Sequence, residues 1–110
     1  SNYFLYFGAD NGSLYKLNAK TGALIGAFSF TAKGPIRSSP LVYKGYVYFG
    51  SDDGNCYCVD KTTGAARSGW PVATGAEVRC LPVLSLWDGT QWTRVTFTSM
   101  DGKVYAFDAP

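Results

Sequence analysis

Histidine is missing from all 110 residues, and with it the commonest general base and the imidazole metal ligand. The hydroxyls of Ser38, Ser39, Thr62 and Thr63 therefore have no partner for a Ser-His-Asp arrangement within the chain. Charge is also scarce: ten Lys and Arg against eight Asp and Glu leave a formal +2. The basic residues are scattered, so the positive footprint that nucleic acid requires is absent and no nucleic-acid partner is expected. No apolar run approaches the roughly 20 residues needed to span a bilayer, so no membrane span is expected. No charged-then-apolar leader opens the sequence.

What the chain does have is aromatic residues, 16% of the total with eight Tyr, and 13 Gly. Together with the low charge, this is the composition of an all-β protein with many tight turns. Helices should be few or absent.

The organising feature is a repeat. Residues 6–22, beginning Tyr6-Phe7-Gly8-Ala9-Asp10-Asn11-Gly12, lie over residues 48–64, beginning Tyr48-Phe49-Gly50-Ser51-Asp52-Asp53-Gly54, at an offset of 42. A third copy, Phe97-Thr98-Ser99-Met100-Asp101-Gly102, follows at a further offset of 48. A second element, residues 34–42, recurs as residues 76–84 at the same offset of 42. The six extra residues of the third copy thus fall in the stretch Trp87-Asp88-Gly89-Thr90-Gln91-Trp92, which reads as a lengthened hairpin.

Each copy reads as short strands separated by turn chemistry. Asn11-Gly12, Asp53-Gly54 and Asp101-Gly102 predict type I′ hairpin turns. Asn18 and Asp60 stand four residues before Gly22 and Gly64, where a short polar side chain can bond nearby N–H groups and glycine can take the left-handed conformation. A period of 42 with four short strands per unit predicts an all-β fold of β-propeller blades, because one such unit cannot cover its own apolar faces.

With strand A innermost and D outermost, the first blade spans about 3–30, with B at 3–9, C at 13–18 and D at 23–30. The second spans about 34–72, with A at 36–43, B at 46–51, C at 55–60 and D near 65–72. The third spans about 76–110, with A at 77–86, a long B at 91–99 and C at 103–108. The chain is read as one partial propeller over 1–110, about two and a half to three blades of four antiparallel strands. Propellers typically close with about four to eight blades. This predicts either a segment of a larger ring or copies that associate to complete one, as a homo-oligomer.

Three cysteines leave at least one thiol free in a monomer. Cys56 and Cys58, two apart on one strand, share a face and are poorly placed to bond each other. Cys80 remains able to pair with one of them across a blade interface. The alternative is three buried thiols acting as small apolar residues.

The run Val47-Tyr48-Phe49-Gly50-Ser51-Asp52-Asp53-Gly54-Asn55, with Tyr57 and Asp60-Lys61-Thr62-Thr63-Gly64, resembles the PQQ-like (quinoprotein-type) propeller repeat. Val104-Tyr105-Ala106-Phe107-Asp108-Ala109 resembles it again. The family includes quinoprotein alcohol dehydrogenases, an outer-membrane assembly lipoprotein and non-enzymatic exported proteins, so the resemblance implies a periplasmic or extracellular setting. In the dehydrogenases a Trp follows the Thr-Gly by a few residues; Gly26 and Ser68 stand there in this chain. Trp70 lies two residues later, with Phe28 as its first-blade equivalent. Both are read as anchors between blades, or else as an exposed platform for sugar or peptide.

The candidate site residues are few. Arg37 and Arg79 occupy the same inner-strand position in successive blades. Either each bonds a carbonyl or carboxylate beside its strand, or together they line a channel for an acidic ligand. Trp87 and Trp92 flank the enlarged hairpin and form either an interface anchor or ordinary hairpin packing. Asp52-Asp53-Gly54-Asn55 lacks the spacing of an EF-hand, and the turn accounts for its residues. With no catalytic constellation and no cofactor expected, the first expectation is a non-catalytic module binding a protein or glycan partner. A fragment of a PQQ-dependent alcohol dehydrogenase-like protein, and a plain structural spacer, are the alternatives.

Overall fold

The computed structural model describes residues 4–26, 28–79, 82–87 and 92–108, with backbone only at 86, 87, 92 and 108. Its elements are all strands: β1 (Phe4–Gly8), β2 (Leu14–Asn18), β3 (Leu41–Tyr43), β4 (Tyr46–Gly50), β5 (Asn55–Asp60), β6 (Val72–Ala73), β7 (Val83–Trp87), β8 (Trp92–Thr98) and β9 (Val104–Asp108). They form three separate antiparallel sheets, in the orders β1-β2, β3-β4-β5-β6 and β7-β8-β9. Each sheet belongs to one sequence unit, so the 42-residue repeat is a repeat of sheets. Among the described residues, no helix is long and apolar enough to cross a membrane.

Side-chain alternation explains how the sheets meet, because neighbouring residues of a strand face opposite sides. On one face of the middle sheet, Val47, Phe49, Tyr57 and Val59 pack with Leu14, Phe28, Ala32 and Ile36 of the first unit and its connection. On the other, Tyr48, Cys56 and Cys58 pack with Val78, Val95 and Phe97 of the third. Strands β4 and β5 are consequently buried on both faces. Full burial of each large apolar side chain contributes about 1.5–3 kcal/mol, so these two layers carry the fold.

Phe28 and Trp70 lie in these layers. The Phe28 ring meets Tyr6 edge-on at 5.5 Å. Trp70 meets Phe107 at 4.7 Å, Phe97 at 6.0 Å and Tyr48 at 6.1 Å. They are inter-sheet anchors. Cys56 and Cys58 are buried free thiols; burial, then the Asp101 carboxylate, pushes Cys56 up to about 12. Cys80 and its pairing lie outside the described residues.

The expected strands are corrected in two places. Among the described residues, the expected 36–43 strand forms a ladder only at Leu41–Tyr43, and the ladder of the expected 77–86 strand is Val83–Trp87. Pro40 and Pro82 have no N–H to donate, and the residues before them bond across to the turns instead, as in Ile36 N to Ala9 O and Val78 N to Ser51 O, both 3.0 Å. The outermost strands are likewise reduced, to Val72–Ala73 and to isolated bridges at Leu17–Leu24, Ser13–Thr31 and Val59–Ala66.

The hairpin turns also differ from type I′. Gly12, Gly54 and Gly102 have φ of 87°, 89° and 84°, whereas the Asn or Asp before each is not left-handed. Gly12 N bonds Ala9 O and Ala9 N bonds Ser13 O, both 3.0 Å, and the other two turns match. Each is a three-residue loop in which a type I turn is followed by a left-handed glycine at a bulge.

Candidate functional site

In the second and third units, the turn after the central strand holds the segment arriving from the unit before. The Ser51 hydroxyl lies 3.0 Å from the Gly34 carbonyl and 3.1 Å from that of Pro35. Asp53 accepts from Lys33 N at 3.3 Å, from Asn55 N at 2.9 Å and from the Tyr57 hydroxyl. In the third unit the Ser99 hydroxyl lies 3.2 Å from Ala76 O, and Asp101 accepts from Gly75 N at 2.8 Å and the Tyr105 hydroxyl at 2.6 Å. Ser, Asp and Tyr at this spacing thus form a clip. The first unit has Ala9 and Asn11 instead, with Asn11 Nδ2 donating to the Tyr15 hydroxyl at 3.1 Å.

The clip predicts a pH dependence. Asp101 is held down to about 2, first by the Tyr105 hydroxyl and then by the Gly75 and Lys103 N–H groups, with desolvation opposing. An unfolded Asp titrates near ~3.9. Because the folded value is the lower one, the stabilisation is present above the unfolded value and is lost as pH falls through the folded one. The urea midpoint of the wild type should exceed that of Asp101→Asn above pH ~4, with the gap closing toward pH 2. A gap that stays constant across this window would show that the carboxylate has no such role.

Asp52, beside the second clip, is where the two predicted arginines meet. Arg37 Nε lies 3.1 Å from Asp52 Oδ2, while Arg79 contacts both oxygens, Nε at 3.0 Å and Nη2 at 3.1 Å. Glu77 stands 3.6 Å from Arg79 Nη2. The chain order explains this: Arg37 precedes β3, the first strand of its own sheet, and Arg79 precedes β7, the first strand of the next, and the Asp52 turn meets both. Bonding to Asp52 raises the Arg79 pKa. Arg37 and Arg79 side chains remain 49% and 40% exposed, so both guanidiniums keep a surface from which to meet a carboxylate or sulfate. Asp52, which sequence reading treated only as a turn residue, is what brings them together. Trp87 and Trp92 are direct backbone partners across the β7–β8 pair; their side chains and residues 88–91 lie outside the described residues.

A second polar feature was not anticipated. Lys16, only 6% exposed, stands where the later units carry Cys58 and Ala106. Its Nζ donates to Lys61 O at 2.8 Å and lies 4.2 Å from the Phe4 ring centroid and 5.5 Å from that of Tyr6. Desolvation, then the Lys61 charge, lowers its pKa against the pull of Asp60. Phe4, Tyr6, Lys16, Val42, Lys61 and Thr62 line a cavity of about 300 Å³. The sequence signal was a lysine in a column of otherwise apolar repeat positions.

Among the described residues, no three His, Cys, Asp or Glu converge to hold a metal ion. No protein-family model matches the chain, and no curated protein matches it. Among solved structures, it is similar to the crystal structure of the computationally designed Ika4 protein, at 21% identity and a TM-score of 0.75. The match covers 97% of this chain and 61% of that one. At that identity the likeness is one of fold, extending across nearly all three sheets.

Proposed function

We propose that the chain is a run of about two and a half to three blades of the PQQ-like propeller family, serving as a non-catalytic binding or scaffold module for a protein or glycan partner. The setting, by the same family resemblance, is periplasmic or extracellular. The observation that carries this reading is how the polar residues are used. Asp53, Asp60, Asp101, Asn18, Ser51 and Ser99 all bond backbone groups of turns and connections. The paired guanidiniums of Arg37 and Arg79 stay on the surface with room for an incoming anion. A rigid stack of sheets that presents a fixed cationic pair suits recognition of carboxylate or sulfate groups.

The test is binding of the chain to immobilised acidic and neutral glycans, beside the Arg37→Ala/Arg79→Ala variant. Retention on acidic glycans, with at least about a tenfold loss in the variant for two charge-assisted contacts, is the expected result. Equal retention of both proteins would remove these arginines from the function. Dye-linked alcohol oxidation by a longer chain carrying these units, with PQQ and calcium added, would favour the dehydrogenase fragment instead.

A further inference from the structure

The two outer faces of the stack are built from the same repeat positions that are buried inside it. In the middle sheet, Val47, Phe49, Tyr57 and Val59 are covered by the preceding unit. Their equivalents in the first sheet are Leu5, Phe7, Tyr15 and Leu17, on one face by register. This face is open: Leu5 is 56% exposed, and Leu24, bridged to Leu17, is exposed beside it. At the other end, the face of the third sheet turned away from the stack carries Thr96, Thr98, Val104 and Ala106. Val104 is 66% exposed, and Val83, paired to Thr96, is exposed as well. One open face is large and apolar and the other small, which is the pairing that lets packed sheets interdigitate.

Two departures from the repeat mark this junction as different from the internal ones. Inside the stack, Gly8 and Gly50 are overlain by Ile36 and Val78 of the next unit. Thr98 stands at the matching position of the third sheet, and a side chain there blocks a connection laid down in the same way. On the receiving side, the clip residues Ser51 and Asp53, or Ser99 and Asp101, become Ala9 and Asn11. The hydroxyl and carboxylate that grip an incoming connection are thereby gone. Both sides are altered for a neighbour that arrives as a sheet without the usual connecting segment, which is what a separate chain supplies.

We infer that the open face of the third sheet docks on the open face of the first sheet of a second copy of this chain, and that two such contacts close a head-to-tail ring of two chains. The inference rests on the blade reading above, since only blades stack radially into a closed ring. Closure at two follows because six sheets fall within the about four to eight blades of known rings.

Light scattering across the micromolar range tests it, with Leu5→Asp and Val104→Asp as variants at exposed positions. The wild type should show twice the 11.9 kDa of one chain, and each variant half that mass. A mixture of Leu5→Lys with Val104→Asp should regain the dimer, because one junction is then unaltered and the other carries a charge pair. A wild-type monomer would overturn the inference, as would a mass that climbs beyond two chains. A Val104→Asp protein that stays dimeric would also do so, showing first sheet against first sheet. Near-UV circular dichroism and amide exchange of the middle sheet separate the two levels. A monomer with an intact aromatic band and protected β4 and β5 amides fails the docking alone, whereas their loss in the wild type fails the stacked-blade reading itself.

Discussion

Truncating Phe49 to Ala should destabilise the chain by about 3–5 kcal/mol, the range for removing a buried aromatic ring from a core. The ring is 0% exposed, stacks on Tyr57 at 5.3 Å and meets Phe30 edge-on at 5.2 Å. Its removal opens a cavity between two sheets, with little freedom to collapse because the other face of the middle sheet is also packed. Phe7 is the control, since it occupies the same repeat position and faces Tyr15 at 5.3 Å, yet it is 40% exposed. Phe7→Ala should therefore cost well under half as much, measured in the Val104→Asp background where copies are not paired. Urea denaturation of both variants checks this. Equal costs would mean that the first and middle sheets do not differ in what covers them, contrary to the stacked arrangement.

The fold was legible to the extent that it depends on pattern. The recurrence of Tyr-Phe-Gly and of Asp-Gly fixed three units, and the expected strands at 46–51, 55–60 and 103–108 match β4, β5 and β9 to within a residue. Those strands are short β-prone runs bounded by turns, near-continuously apolar in β4 and β5 because both of their faces are buried. The inner and outer strands were overestimated because β-rich composition does not reveal where hydrogen bonds go. Pro35 and Ile36 spend their C=O and N–H groups on turns instead of a ladder, as in Asp52 N to Pro35 O at 2.8 Å and Ile36 N to Ala9 O at 3.0 Å. The turn class was misjudged for a related reason. A Gly preceded by Asn or Asp fits both a two-residue loop and a three-residue loop with a bulge, and only the loop length distinguishes them.

For the candidate site, one half was visible. Arg37 and Arg79 could be matched by position, and a carboxylate partner was one of two readings. That a single Asp52 would take both could not be read, because the distance between neighbouring units is set by how closely the sheets stack. Lys16 escaped notice because a lysine amid strand residues ordinarily signals a solvated face. Here its stem lies in an inter-sheet layer and its ammonium is held by a carbonyl and two rings, a case of a long cation packing its apolar part.

That stacking distance is itself testable through glycine. A Cβ at Gly50 would collide with the Val78 Cγ1 methyl and stand only 2.7 Å from the Val78 carbonyl oxygen. The methyl can rotate away, but the carbonyl is backbone in a segment tied to Ser51 by a 3.0 Å hydrogen bond. Gly50→Thr, which installs the residue found at the third unit's equivalent position, should therefore cost about 3 kcal/mol, the upper end of the usual overpacking range. Because the obstacle is steric, Gly50→Ala should already show most of the loss, and adding Val78→Ala should recover only the methyl's share. Thr98→Gly reverses the exchange and, measured in the Val104→Asp background where copies are not paired, should cost no more than the roughly 0.5–1 kcal/mol of placing glycine in a strand. If Gly50→Thr left the urea midpoint unchanged, the middle and third units would have to sit farther apart than the Val78 contact requires. The Arg37–Asp52–Arg79 cluster, which spans the same gap, would then lose its geometry.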